Sequence, residues 1–257
     1  MRDALLLKAS LRDMLRPRKL LAAAILALAP AAIALVFRMA ARSYVSSDTY
    51  AGVADGALFG FVLVMAAVVF CTATVRQEIE QKTIVYLLTR PLPRWRILMA
   101  RYASALVATA GTVAVGALVL AVAAFGPRAA VQAPVLRDIG VLLLGSAAYG
   151  SLFLFVATLL RRPLIFGVLY AFGWETLVPQ LPGAFKALSL MSYLRALAPH
   201  RAPEAESLDI RQALGPISTF VITKGLAWTV LLAVAVSLAV AAAVVFSQRE
   251  YAPRDDD

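Results

Sequence analysis

Long apolar runs separated by short charged segments dominate this chain. Six of them cover residues 20–37, 57–75, 102–125, 139–160, 164–181 and 226–246. Each is close to the roughly 20 residues a helix needs to cross the hydrocarbon layer. The pattern predicts an all-α membrane protein of six transmembrane helices, folded as a single domain over residues 1–257. The fifth run departs most from the pattern, because it contains Gly173, Glu175 and Pro179. Ala, Gly, Ser and Thr recur through the runs, as expected where helices must approach closely without a hydrophobic drive between them. Gly56 and Gly60 form one GxxxG pair.

Three polar stretches stand out between the runs. Residues 1–19 place Ala4, Leu7, Leu11, Met14 and Leu15 on one side of a helix, with Lys8, Arg12 and Arg16 on the other. That is the pattern of an amphipathic helix lying at the membrane surface. A secretory signal peptide fits less well, since the apolar run that follows exceeds the usual ~7–15 residues. Residues 182–225 form a long loop before the last span. Within it Ala184, Phe185, Leu188 and Met191 recur at helical spacing, predicting a short helix on or dipping into the outer leaflet.

The third stretch, residues 76–101, is a charged, Pro-punctuated block between the second and third runs. Its first half, Gln77 to Leu88, predicts an amphipathic helix with Ile84, Leu87 and Leu88 on one face. Glu78 and Lys82 stand four apart in the favourable acidic-first order. Arg90-Pro-Leu-Pro-Arg94 then stops that helix, since each proline removes a backbone donor and restricts the residue before it. Such a block either shows a surface to a partner or serves as a solvated connector that fixes topology.

Composition narrows the classes. The hydrophobic set makes up 61% of the 257 residues, and mean hydropathy is +0.81, well beyond a soluble domain at about 45–50% apolar. The net charge of +10 could suggest nucleic acid. The basic residues, however, collect at the ends of apolar runs, where phospholipid headgroups attract them. Segments predicted inside hold Arg2, Lys8, Arg12, Arg16, Arg18, Lys19, Arg76, Lys82, Arg90, Arg94, Arg96, Arg101, Arg161, Arg162, Arg249 and Arg254. The short outer loops hold Arg38, Arg42, Arg128 and Arg137. This asymmetry predicts that both termini and the 76–101 block face the cytoplasm.

Little enzymatic chemistry is legible. No lysine follows a G-x-x-x-x-G-K-[ST] loop, so ATP hydrolysis by the P-loop route is absent from this chain. A single histidine, His200, excludes H-E-x-x-H, and a lone cysteine, Cys71, excludes an internal disulfide. Asp48, Asp55 and Asp138 are expected at or beyond span ends, which argues against a pair of catalytic aspartates at depth. Glu175 is the acidic residue expected well inside a span. A carboxylate there faces a water-filled path or a partner, or else the span ends early at Trp174 and Glu175 is wet beside Pro179.

The block Glu78–Arg101 resembles the first cytoplasmic loop of permeases in the ABC type-2 exporter family. The matching residues are Glu78, Glu80, Thr83, Leu87, Leu88, Arg90, Pro91 and Arg94, with Trp95 and Ile97 leading into the membrane. The Arg249-Glu250-Tyr251 ending, the surface helix before the first span and the long outer loop are similar to that family as well. Gln81-Lys82-Thr83 stands where many relatives carry a glycine. The resemblance implies a six-span permease of the cell (inner) membrane, paired as a homodimer with two copies of a separate ABC ATPase that binds the ATP. The permease itself would need no cofactor and bind no nucleic acid. It also implies that the 76–94 segment is a coupling helix, docking to the ATPase through Glu78, Glu80, Thr83, Leu87, Arg90, Pro91 and Arg94. Glu175, from its place in the fifth run, is a candidate pathway residue. Two other readings stay open: a secondary transporter using Glu175 for proton coupling, and a membrane anchor or regulatory subunit.

Overall fold

A computed structural model describes residues 10, 14, 16–41, 47–80, 94–126, 135–160, 162–180, 183–198 and 222–248. Everything regular among the described residues is helical. Helix α1 is Pro17–Ala41. A second long rod is built from α2 (Ser47–Val53), a π-helical stretch Ala54–Leu63, and α3 (Val64–Glu80). Helices α4 (Arg94–Phe125) and α5 (Val135–Leu159) follow. Then comes a broken segment: α6 (Pro163–Leu169), a π-helical turn Tyr170–Trp174, α7 (Glu175–Leu177) and a 3-10 turn Val178–Gln180. A second 3-10 turn, Gly183–Leu188, leads to α8 (Leu190–Leu197), and α9 is Lys224–Gln248.

Among the described residues, five helical stretches are long and apolar enough to cross a membrane: Lys19–Ala40, Ser47–Thr74, Trp95–Phe125, Val135–Leu159 and Lys224–Gln248. The expected fifth span, 164–181, is instead the shorter apolar helix Pro163–Leu177. At ~1.5 Å per residue it falls short of a roughly 30 Å hydrocarbon layer. The other helices overrun their apolar cores. The third starts at Arg94 rather than at residue 102, and the second starts at Ser47 rather than at residue 57. Backbone hydrogen bonding does not stop where hydrocarbon does, so polar flanks stay helical until a breaker intervenes. Arg94 directly follows Pro93 in the chain, and Gly126, at φ 57°, ends α4 in the left-handed conformation that favours glycine.

The centre of the bundle is α5 with the second rod. Their apolar windows are 67% and 61% buried, against 22% for α1 and 17% for α9. Helix α1 packs along α4, and α9 along α5. Helix α9 shows how the sequence sorts its faces. Ala227, Leu231, Ala235, Ala239, Ala242 and Phe246 are buried, while Trp228, Leu232, Val236, Val240 and Val244 are exposed. Spacing of three and four residues puts four alanines, with Leu231 and Phe246, against the bundle and the other large side chains outward, and the small residues let the helices pack closely in lipid.

Buried serine and threonine hydroxyls within the long helices are satisfied locally. Thr72 and Thr109 donate to the carbonyls of Val68 and Ala105 at 2.6 and 2.9 Å, and Ser146 and Ser151 donate to those of Leu142 and Ala148 at 2.8 and 2.9 Å. Bonding back into their own helix removes the cost of an unmet polar group without committing a partner helix.

Asp138 is not at a wet span end. It is 0% exposed in the first turn of α5 and accepts the Tyr50 hydroxyl at 3.0 Å. The Tyr50 ring in turn lies 5.1 Å from that of Phe125. Asp55 likewise falls within the long apolar helix Ser47–Thr74, on its π-helical stretch. An acidic residue near the end of an apolar run looks peripheral in sequence; helices longer than the run carry it inward.

Candidate functional site

Helix α8 is short but strongly sided, burying Leu190, Met191, Ser192, Tyr193 and Leu194. Ser189 begins it: its backbone is extended (φ −101°, ψ 127°), and its Oγ accepts the Ser192 N–H at 3.4 Å. That is the usual work of a serine N-cap. It splits the helix expected through Ala184–Met191 into a 3-10 turn and α8.

An isolated helix start leaves its first backbone donors unmet. Here Glu175 meets them from another element. The Leu190 N–H donates to Oε1 and the Met191 N–H to Oε2, each at 3.2 Å. The Tyr170 hydroxyl donates to Oε1 at 2.7 Å, and the Ser189 hydroxyl donates to Oε2. Four donors thus surround one carboxylate that is 5% exposed, so Glu175 is buried rather than wet. An anion at a helix N-terminus is also favoured by the helix dipole. Together these offset the high cost of a carboxylate in apolar surroundings.

The other end of α8 is held by charge. Arg195 donates from Nε to Asp55 Oδ1 at 3.0 Å, with the two side chains 25% and 22% exposed. Between these ends, Leu194 packs over Gly145 of α5. A Cβ at Gly145 would come 2.8 Å from Leu63 Cδ2 and 3.0 Å from Leu194 Cδ1, so a side chain there would push α8 off its seat. Tyr193 and Trp174 stitch the intervening loop, donating to the carbonyls of Ala187 and Leu188 at 2.9 and 3.2 Å.

The two π-helical stretches meet at Phe61 and Phe172, whose ring centroids are 6.1 Å apart. Both carboxylates that hold α8 belong to this junction: Asp55 sits on one stretch and Glu175 directly follows the other. An extra residue per turn turns the following side chains to a new heading, and such stretches are frequent at functional sites. The Tyr149 and Tyr170 rings flank Phe153, at 6.2 Å stacked and 6.0 Å edge-on. Glu175 therefore lies level with the middle of α5. No group of three or more His, Cys, Asp or Glu side chains converges to hold a metal among the described residues.

The expected docking block is only partly within view. Glu78 and Glu80 lie in the last turn of α3, and Arg94 is the first residue of α4. Thr83, Leu87, Arg90 and Pro91 lie outside the described residues, as do most of the 1–19 segment and residues 199–221 of the outer loop. Gly116 of α4 meets Leu58 of the second rod, while Cys71 of α3 and Leu106 of α4 both meet Gly150. The contact moves back along α4 as it moves forward along the rod, so the two run antiparallel. Their Glu80 and Arg94 ends lie at the same end of the bundle.

The family model described as ABC-2 family transporter protein matches residues 15–176. The chain belongs to the ABC-2 transporter family. The matched region takes in the first four long apolar helices and the broken segment as far as Thr176. ABC-2 membrane proteins are the permease components of transporters, and this one is a multi-pass membrane protein. No curated protein matches the chain.

Sequence reasoning picked out Glu175 but not its partners. Ser189 ahead of an apolar-sided octet was a readable N-cap signal. Tyr170, five residues before Glu175, was within reach of a helical-spacing argument. The Asp55–Arg195 pair, 140 residues apart, carries no local signal.

Proposed function

We infer that the chain is the transmembrane permease subunit of an ATP-driven ABC exporter, docking to a separate ATPase through its 76–94 segment. The observation that carries this reading is the family match laid over four long apolar helices. Two permease copies would pair with two ATPase subunits in the cell (inner) membrane, both termini cytoplasmic, with the cargo path along the interface between copies. Export rather than import follows from the resemblance alone.

Six crossings remain the reading we favour. The short helix Pro163–Leu177 would enter from one side and α8 would continue to the other, the two meeting at Glu175. Broken backbone at membrane depth is tolerated where protein or water covers it, and the four bonds at Glu175 are one such cover. With its lone pairs occupied, Glu175 would shape the path by holding α8 rather than by touching cargo.

The long helices leaving the membrane at Glu80 and Arg94 would transmit a push from the docking segment as rigid levers. Complementary charge would set the register of docking. The test is co-purification with the ATPase and stimulated ATP hydrolysis in wild type and in the double variant Glu80→Lys, Arg94→Glu. The variant is expected to lose both; retained coupling would remove 76–94 as the docking segment.

A further inference from the structure

The Asp55–Arg195 pair lies at mid-depth in the bundle. A Cβ on Gly116 of α4 would meet both Leu58 and Ala27, so the second rod, α4 and α1 share that level. Arg38 of α1 donates to the Ala123 carbonyl of α4 at 3.3 Å. With Ala27 beside Gly116, α1 therefore runs parallel to α4 and antiparallel to the rod. Asp55, three residues before Leu58, then stands near the level of Pro30, half-way along the apolar stretch Lys19–Ala40.

Charges at such a depth face protein or water, and this pair is about a quarter exposed. Arg195 commits its Nε to Asp55, and its terminal nitrogens make no hydrogen bond among the described residues. Turned to hydrocarbon, those guanidinium donors would go unmet. The surface beside the pair is unlike a lipid face. Where α9 turns outward it shows Trp228, Leu232, Val236 and Val240. From Ser47 to Gly56 the rod exposes Ser47, Asp48, Gly52 and Gly56 instead. A Cβ at either of these glycines would meet nothing within 4 Å. Phe61, in contact with Phe172, ends this face on the far side of Asp55.

We propose that the Asp55–Arg195 pair lines a water-filled stretch of the cargo path, entered from the Ser47 end of the rod and closed at the Phe61–Phe172 contact. Asp55 positions the guanidinium, and Arg195 turns its terminal nitrogens to water and to polar groups of the passing cargo. That a cargo passes here rests on the exporter reading. The wet wall is a property of this chain by itself.

Cysteine labelling tests it, with the full chain in lipid nanodiscs, a charged methanethiosulfonate reagent and mass spectrometry as the readout. Gly56→Cys adjoins Asp55 in the chain, Gly52→Cys lies one turn nearer the Ser47 end, and both leave the ion pair intact. Val236→Cys is the reference: half-way along α9, 62% exposed, on the outward apolar face. A thiol reacts as its thiolate, which water must support, so Gly56→Cys is expected to react at least about tenfold faster than Val236→Cys. Gly52→Cys should react no more slowly than Gly56→Cys. Unchanged hydrogen-exchange protection along α5 establishes that each variant is folded, and labelling of Val236→Cys after unfolding in SDS shows that its thiol is intact. Equally slow labelling of Gly56→Cys and Val236→Cys overturns the proposal. So does a Gly56→Cys disulfide between two chains in place of labelling, since a second copy would then cover the face. Slow labelling in a chain that still stimulates its ATPase overturns the wet wall and not the exporter reading. Fast labelling in a chain that stimulates none upholds the wet wall and overturns that reading.

Discussion

Arg195 reaches 3.0 Å from Asp55, tying the last turn of α8 to the π-helical stretch of the second rod. The pair is about a quarter exposed, whereas Glu175 at the opposite end of α8 is 5% exposed. One short helix is therefore held by two carboxylates in different surroundings, and their loss has different consequences.

Glu175→Gln keeps the shape but puts an amide nitrogen, itself a donor, among four donors. At least one of the Ser189, Leu190, Met191 or Tyr170 bonds must fail. The variant is expected to lose about 1–3 kcal/mol of stability and protection of the Leu190 and Met191 amides. Thermal unfolding in detergent and hydrogen exchange check this; wild-type protection in Glu175→Gln would show that the carboxylate does not hold α8.

Asp55→Asn is expected to be milder, because partly exposed ion pairs contribute about 0–1 kcal/mol. A double-mutant cycle with Arg195→Gln, read by thermal unfolding at low and high salt, should give a small coupling that shrinks with salt. A coupling above about 2 kcal/mol would mean that the pair is desolvated in the membrane.

Gly145→Ala inserts a methyl group between the ends of Leu63 and Leu194. Overpacking of this kind costs about 1–3 kcal/mol, and it should unseat α8 while leaving the α5–α9 contact intact. Adding Leu194→Ala frees the space, so the double variant should recover α8 protection relative to Gly145→Ala. Absence of recovery would place the strain elsewhere.

Cys71 is fully buried, so it should stay silent towards a membrane-impermeant maleimide in the folded protein. That makes Lys82→Cys a clean reporter of sidedness. Labelling is expected in inverted vesicles and not in right-side-out spheroplasts. The opposite pattern would turn the whole topology over and remove the docking segment from the cytoplasm.

Hydropathy alone carried the order of the five long helices, because each must hide a full length of backbone from lipid. It expected a sixth at 164–181, where the chain forms the shorter helix Pro163–Leu177. It also singled out Glu175, since a carboxylate amid apolar residues is conspicuous. Helix ends were less legible: hydrogen bonding continued past the apolar runs to Ser47 and Arg94, and carried Asp138 and Asp55 into the bundle.

What only the tertiary structure decided is where Glu175 spends its charge. Its partners on α8 lie 14 to 16 residues away across two turns. No periodicity links a helix N-terminus to a carboxylate on another element. The sequence by itself determined that this protein fills a membrane with helices of the ABC-2 kind. Folding decided that the fifth apolar run forms a short, broken helix with Glu175 against the start of α8, because a capped helix start and a buried anion satisfy each other only when the chain brings them together.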